Sequence, residues 1–257
     1  MTLTDIPLFD AHFHIVDPAY PLQDNQGFLP EPFTCDDYLQ RMNDRPLVGG
    51  VVVSGSFQGY DQSYLLAALK RLGPTYVGVT QLPPTVDDDT LLSLDQAGVR
   101  GVRFNLYRGG PQALREWIPF AQRIYALCRW HVELYADATQ VDRVYDAIAE
   151  LPAVCIDHLA LSRRASVRLL DLVEQGVHVK ASGFGRLESD PIPLLRELYA
   201  ANPGSLMFGS DLPSTRAPRP FDERDLQRVG DALCENGVRG VFSDNALRFY
   251  RLTDSAS

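Results

Sequence analysis

The sequence is short of positive charge, and this shortage argues against nucleic acid as a partner. Lysine and arginine together number 24, against 33 aspartates and glutamates, so the formal net charge at pH 7 is −9. Binding along a phosphate backbone requires an excess of basic side chains over the contact surface. We therefore expect no nucleic-acid partner, although a locally basic pocket is compatible with the acidic total.

Segments that would export or anchor the chain are also missing. The N-terminal residues MTLTDIP lack the basic start and the apolar core of a signal peptide. No apolar run approaches the roughly 20 residues that span a membrane. The four cysteines, Cys35, Cys128, Cys155 and Cys234, are far apart and form no Cys-x-x-Cys pair. These absences predict a reduced, cytoplasmic protein without a membrane partner.

The sequence has neither a GxGxxG loop nor a P-loop, which removes the usual reason to expect an open nucleotide-binding sheet. It has instead an alternation of β-branched runs and amphipathic helical stretches. The predicted strands are residues 8–17, 47–54, 76–82, 99–106, 131–136, 153–157, 177–182 and 205–210. Without a composition shift along residues 1–257, this pattern predicts one α/β domain, a (β/α)₈ TIM barrel. A long loop, residues 16–46, follows the first strand, and a short polar tail ends the chain.

The first predicted strand, LFDAHFHIVD, ends in two histidines. Side chains two residues apart in a strand point to the same face, so His12 and His14 should face one point. The alternate positions, among them Phe9, Ala11 and Phe13, are apolar, which disfavours a solvated surface strand. Paired imidazoles of this kind suit a metal ion or the polarisation of a carbonyl group.

The barrel hypothesis sorts the remaining histidines by barrel end. Catalytic residues of (β/α)₈ barrels lie at the C-terminal ends of the strands. His158 follows the sixth predicted strand and Asp211 the eighth, so both should meet the first-strand histidines at one mouth, and we predict that all four are catalytic. His131 and His178 begin the fifth and seventh strands, so we expect them at the opposite end, in structural or solvated roles.

Ordered motifs along the whole chain resemble those of one superfamily. DAHFHI ends the first strand, CIDHLAL the sixth and FGSDLP the eighth, and DNALRFYRL closes the barrel. This set is similar to the amidohydrolase superfamily, of the amidohydrolase 2 type, and within it to 2-pyrone-4,6-dicarboxylate lactonase-like hydrolases. VVVSGSFQGYDQSYLLAAL and GVRFNLYR also resemble that branch. The resemblance implies a TIM barrel and a hydrolase of aromatic-compound catabolism.

The resemblance bears on metal binding in two ways. In the wider superfamily a first-strand histidine pair binds divalent metal with a residue of strand 4 or 5 and the strand-8 aspartate. Here Tyr135 stands where a strand-5 histidine ligand would, and strand 4 offers no bridging lysine or glutamate, which argues against a binuclear site. One zinc ion on His12, His14 and Asp211, with His158 as a further ligand, stays open. The lactonase branch also lacks the strand-5 histidine, which implies catalysis without a metal or other cofactor.

Basic residues are expected around the predicted mouth although the protein is acidic. They are Arg103, Arg108, Lys180, Arg186, Arg216 and Arg219. Guanidinium groups bind carboxylates through two parallel hydrogen bonds, so this set predicts a small anionic carboxylate as substrate. The resemblance implies that Arg103, Arg108 and Arg186 bind the substrate carboxylates and that Ser56 and Tyr135 contact the substrate.

The predicted reaction is the hydrolysis of a lactone, or a similar ester-like bond, of a small carboxylated compound such as a pyrone dicarboxylate. Asp211 is the predicted general base for water, and the three histidines are predicted to polarise the carbonyl group. One position departs from the family. Near Phe28 the family carries a tyrosine that contacts the substrate, so one hydrogen bond to the substrate is missing here.

Two alternatives remain at this stage. A mononuclear zinc-dependent hydrolase or non-oxidative decarboxylase of the same superfamily would hold zinc tightly. A barrel that binds a carboxylate without turnover would need the arginines but neither the histidines nor the aspartate. The sequence leaves homo-oligomer formation open.

Overall fold

An eight-stranded parallel sheet forms the centre of the molecule. The computed structural model describes residues 3–25, 27–109 and 113–252, the side chains of residues 108, 109 and 113 excepted. The strands are β1 Leu8–Phe13, β2 Leu47–Val53, β3 Tyr76–Thr80, β4 Val99–Asn105, β5 His131–Tyr135, β6 Val154–Ile156, β7 His178–Ala181 and β8 Leu206–Phe208. They lie side by side in chain order, so the predicted (β/α)₈ barrel is confirmed.

Helices follow the strands and cover the outer face of the sheet. They are α1 Cys35–Arg41, α2 Ser63–Leu72, α3 Asp88–Gln96, α4 Leu106–Gly109, α5 Ala113–Cys128, α6 Ala138–Arg143, α7 Tyr145–Ala149, α8 Val167–Glu174, α9 Ile192–Ala201, α10 Glu223–Ala232, α11 Glu235–Arg239 and α12 Asn245–Phe249. The helices predicted over 141–151 and 222–236 are each two helices, because the chain turns at Val144 and at Leu233. Among the described residues, no helix has the length and apolar character to cross a membrane.

The barrel closes between β8 and β1 at the residues that carry the predicted site. The Asp211 amide donates to the His12 carbonyl at 2.8 Å, and the His14 amide donates to the Leu212 carbonyl at 2.7 Å. The buried carboxylate of Asp10 accepts from the amide and the hydroxyl of Ser210, at 2.8 and 2.6 Å. The seam of the barrel therefore holds Asp211 beside the two first-strand histidines.

Apolar side chains form two layers, and β1 contributes to both. Phe9 and Ala11 pack with inward residues of β2 and β3 and with Tyr250 at the bottom of the barrel. Phe13 and Ile15 pack with the helix layer outside. The apolar alternate positions of β1 are buried but belong to two layers, because the pairing of β1 with β2 shifts register between Asp10 and Phe13.

The long loop after β1 is organised by pairing and by a capped helix. Val16 and Phe33 exchange backbone hydrogen bonds of 2.7 and 2.8 Å, which brings the two ends of residues 16–33 together. Thr34 caps α1, because its hydroxyl accepts from the Asp37 amide while the Asp37 carboxylate accepts from the Thr34 amide. The loop thereby returns toward the barrel mouth before β2 begins.

Candidate active site

Four side chains from three strand ends converge on one point. His12 lies on β1, His14 just beyond it, His158 after β6 and Asp211 after β8, and all are buried. Oδ1 of Asp211 lies 3.9 Å from Nε2 of His12 and 3.8 Å from Nε2 of both His14 and His158. The structure thus brings together the four residues predicted to be catalytic.

The other ring nitrogens have partners that fix the imidazoles. Nδ1 of His14 lies 2.7 Å from the Val53 carbonyl, which only accepts, so this nitrogen carries the proton and the neutral ring presents a lone pair at Nε2. Nδ1 of His158 lies 3.0 Å from the Ser182 hydroxyl. A hydroxyl can donate or accept, so either tautomer of His158 is satisfied.

His12 has a donor and an acceptor at equal distance. Its Nδ1 lies 3.2 Å from Nζ of Lys180 and 3.2 Å from Oδ1 of Asp157. A hydrogen bond from Lys180 places the ring proton on Nε2, whereas a hydrogen bond to Asp157 leaves Nε2 with a lone pair. His12 Nε2 and Asp211 Oδ1 have no hydrogen-bond partner among the described residues, so both are free to meet a ligand.

Burial sets the charges of this group. It lowers the pKa of His14 to about 3 and holds the pKa values of His12 and His158 well below the ordinary range, so the three imidazoles are neutral at pH 7. Burial also raises the pKa of Asp211, and Arg186 opposes this shift. The site therefore combines neutral rings with one carboxylate whose Oδ2 accepts from Nε of Arg186 at 2.8 Å.

A pocket opens above this group. Its walls include six residues predicted for the site, namely His14, Ser56, Arg103, Tyr135, His158 and Arg186. Phe28 and Arg216 complete the mouth from two loops. Arg108 lies on α4, but its side chain is outside the described part of the chain.

Two predicted basic residues lie elsewhere. Arg219 does not line the pocket, because Nη2 is bonded to the buried carboxylate of Asp225 at 2.7 Å. Lys180 is fully buried inside the barrel, in close contact with Glu133. The expectation that Lys180 lies at the rim is wrong, because this residue comes one position before the end of β7, where its side chain points inward under His12.

Two buried carboxylates beneath the site, Asp157 and Glu133, are not among the residues predicted from the sequence. Asp157 accepts from Nε of Arg103 at 2.9 Å, and Glu133 pairs with Lys180. Burial alone would raise the pKa of Asp157, but the Arg103 guanidinium holds it well below its usual range. The signal was available, since ionisable residues such as Glu133 in the strand HVELY rarely occupy buried positions unless they are paired.

The backbone is left-handed at two of the four predicted catalytic residues. Positive φ angles run through His158–Leu161, from 52° to 46°, and φ is 60° at Asp211. L-residues adopt this region at a cost of roughly 1–2 kcal/mol each, and such strain concentrates at functional sites. These two turns aim Nε2 of His158 and Oδ1 of Asp211 at the same point.

Gly209 permits the close approach of β8 to His12. A Cβ atom at this position would lie 2.7 Å from Cβ and 2.9 Å from the amide nitrogen of His12. We expect Gly209→Ala to lower the free energy of unfolding by about 1–3 kcal/mol, because the backbones must move apart. Urea unfolding measures this change. Gly240→Ala is the control for glycine itself, since a Cβ there would lie 3.5 Å from its nearest neighbour and φ is −54°, a value open to any residue; equal destabilisation of both variants would contradict this account.

The donor set also fits one divalent metal ion. Three imidazole nitrogens and one carboxylate oxygen face a common point, and His12, His158 and Asp211 lie within the mutual distances of a metal-ligand group. Zinc accepts such ligands. A second buried group, His12, Glu133 and Asp157, does not fit a metal, because the Lys180 ammonium lies among its atoms.

The chain matches one known protein family over most of its length. Residues 9–252 match the family described as Amidohydrolase. The chain belongs to the amidohydrolase family. The predicted hydrolase class is likewise confirmed by its curated relatives.

Two curated proteins and one solved structure are similar to this chain. A 4-sulfomuconolactone hydrolase of Rhizobium radiobacter is 27% identical over 96% of this chain and 87% of its own. A 2-pyrone-4,6-dicarboxylate hydrolase of Comamonas testosteroni is 31% identical over 58% of this chain and 50% of its own. A solved structure assigned as a 2-pyrone-4,6-dicarboxylic acid hydrolase of Pseudomonas putida is 26% identical, covers 98% of this chain and 99% of its own, and has a TM-score of 0.79.

Proposed function

We propose that this amidohydrolase opens the ring of a lactone that carries two anionic groups. The observation that carries the proposal is the meeting of Asp211 Oδ1 with three neutral imidazole Nε2 atoms below an arginine-lined pocket. The relatives named above act, by their names, on a sulfonated muconolactone and on a pyrone dicarboxylate. Both are lactones with two acidic groups, and this supports the same class of substrate here.

The attacking water is proposed to lie between Asp211 and His14. Asp211 Oδ1 and the Nε2 lone pair of His14 both accept, so a water molecule between them donates both protons and keeps its lone pairs for the carbonyl carbon. Asp211 takes one proton as the water adds. His14 is therefore proposed to orient the water, because its tautomer offers no proton to polarise the carbonyl group.

His12 and His158 are proposed to stabilise the oxyanion. The Lys180 ammonium can donate to Nδ1 of His12, and the Ser182 hydroxyl to Nδ1 of His158, which places a proton on each Nε2. Donors of this kind contribute roughly 10²–10³ in rate each. When the tetrahedral intermediate collapses, the ring C–O bond breaks, and the proton held by Asp211 passes to the leaving oxygen to form a hydroxyl group. The new carboxylic acid then releases the remaining water-derived proton to solvent and becomes a carboxylate.

The arginines are proposed to place the substrate. Arg103 lines the pocket, and its guanidinium carbon lies 5.1 Å from the centroid of the Tyr135 ring. Arg186 also lines the pocket and donates a hydrogen bond to Asp211. Bidentate contacts to a carboxylate would hold the reacting carbon over Asp211. Ser56 and Arg108 are proposed as further contacts. Among the described cysteines all four are free, which supports a reducing, cytoplasmic compartment.

Metal-dependent hydrolysis is the second candidate, because the same atoms form a zinc donor set. The ion would be held by His12, His14, His158 and Asp211. In that state Nδ1 of His12 would carry the ring proton and donate a hydrogen bond to Asp157. A bound divalent metal supplies Lewis acidity toward the carbonyl group or lowers the pKa of a water molecule. We favour catalysis without a metal, because a hydrogen bond from Lys180 to Nδ1 of His12 places the ring proton on Nε2, the atom that would have to bind the ion.

A screen of lactones with and without chelator tests both candidates. We expect the purified protein to hydrolyse lactones with two carboxylate or sulfonate groups faster than matched lactones with one, and to keep this activity after chelation. Elemental analysis of the same sample measures bound zinc. Stoichiometric zinc with loss of activity on chelation would favour the metal-dependent candidate. Release of CO₂ without lactone opening would contradict the proposal.

A further inference from the structure

Two of the three predicted carboxylate-binding arginines, Arg103 and Arg186, already have carboxylate partners in the protein. Arg103 is bonded to Asp157 at 2.9 Å, and Arg186 to Asp211 at 2.8 Å. Lys180 and Glu133 form a third buried pair, whose total charge is zero whichever atom holds the shared proton. Since the histidines are neutral, these three pairs leave the described site without net positive charge.

Arg216 lines the same pocket but, unlike Arg103 and Arg186, it is not paired with a carboxylate in the described part of the chain. Among the described residues no carboxylate lies within 4 Å of its guanidinium, and its one polar contact is a hydrogen bond from Nη2 to the backbone carbonyl of Asn25. Cζ of Arg216 lies 4.3 Å from the centroid of the Phe28 ring, so the guanidinium stacks on an aromatic face at the pocket mouth. Within the described part of the pocket, the guanidinium whose charge no carboxylate neutralises is therefore that of Arg216.

We propose that Arg216 is a specificity-determining residue that binds the second anionic group of the ligand, with Phe28 holding its guanidinium in place. The inference rests on the proposed function only for the identity of the substrate. A carboxylate or sulfonate at the mouth would replace the Asn25 carbonyl as the acceptor for Arg216.

Binding of two non-hydrolysable probes tests the inference. Calorimetry compares isophthalate, which has two carboxylates on one ring, with benzoate, which has one, on the wild type and on Arg216→Gln. We expect the isophthalate Kd to rise about 10- to 100-fold in the variant, as for a charge-assisted hydrogen-bonded pair. The preference for isophthalate over benzoate should fall with it. An equal loss for both probes, or no loss, would overturn the inference.

Two further variants separate contact from charge and from folding. Arg163→Gln removes one positive charge from the same end of the barrel outside the pocket, where Arg163 pairs with Glu188 on the exposed surface, so its isophthalate Kd should not change. Phe28→Leu keeps an apolar side chain but removes the ring, and we expect a 2- to 5-fold rise in the isophthalate Kd. A loss in Arg163→Gln as large as in Arg216→Gln would show a general field effect and overturn the inference.

Failure of the proposed function is distinguishable from failure of this inference. If no lactone is hydrolysed but isophthalate binding depends on Arg216, the inference holds and the reaction assigned to the site is wrong. If lactones are hydrolysed with the same preference for two anionic groups in the wild type and in Arg216→Gln, the inference is wrong and the reaction stands.

Discussion

Replacing Asp211 by asparagine is expected to lower kcat for lactone hydrolysis by about 10²- to 10⁴-fold. The amide keeps the size of the side chain but cannot take a proton from water. Oδ1 of Asp211 lies 3.8–3.9 Å from all three imidazole Nε2 atoms and has no hydrogen-bond partner among the described residues. Steady-state kinetics on the purified variant measures the loss.

Ligand binding should not fall with the rate. Asp211 neutralises Arg186, so its replacement frees that guanidinium, and isophthalate is expected to bind Asp211→Asn at least as tightly as the wild type. Asp190→Asn is the control for a removed carboxylate, because Asp190 is exposed, and its kcat should be unchanged. The wild-type kcat/KM should fall as pH drops through the raised pKa of Asp211, because protonation removes the base. Near-native kcat in Asp211→Asn would show that Asp211 is not the base.

Strand periodicity predicts the barrel and its mouth, because both depend on local patterns. A β-branched run predicts a strand, and the rule that barrel sites lie at C-terminal strand ends then groups His158 and Asp211 with the first-strand histidines. The structure places these residues as that rule requires. Arg186 and Tyr135 reach the pocket for the same reason, since each follows or ends a strand at this rim.

The features that the sequence did not predict depend on contacts between distant residues. The proton position on His14 follows from the Val53 carbonyl on the next strand. The left-handed turn at His158–Leu161 contradicts the intrinsic preference of L-residues, so no local rule predicts it. The register shift within β1 arises from its pairing with β2, and it decides which layer receives Phe13.

Charge pairing explains why the sequence overstates the basic character of the site. In the sequence alone, arginines near a mouth resemble free cations, but Arg103 and Arg186 are neutralised by carboxylates of other strands or loops. Their guanidinium groups still present N–H donors to a ligand, so they can position an anion without supplying net charge. Among the described pocket residues, the positive charge without a carboxylate partner is that of Arg216, a loop residue that strand periodicity does not single out.

Replacing Lys180 by methionine is expected to lower the free energy of unfolding by about 3–5 kcal/mol. Lys180 and Glu133 are both fully buried, and removal of the ammonium leaves the Glu133 carboxyl without its partner. Burial and the neighbouring Asp157 already raise the pKa of Glu133, and Lys180 opposes this shift. Urea unfolding of the variant measures the loss, and Arg163→Met, which breaks an exposed pair, should change it by less than about 1 kcal/mol.

The double variant Lys180→Met/Glu133→Gln distinguishes the loss of a charge partner from a loss of packing. If the uncompensated carboxyl causes the instability, neutralising Glu133 restores much of the free energy of unfolding, and the coupling between the two sites is large. The rate should not return with it, because Nδ1 of His12 still lacks the ammonium donor that places the ring proton on Nε2. A double variant as unstable as the sum of the single variants would show that Lys180 acts by packing alone.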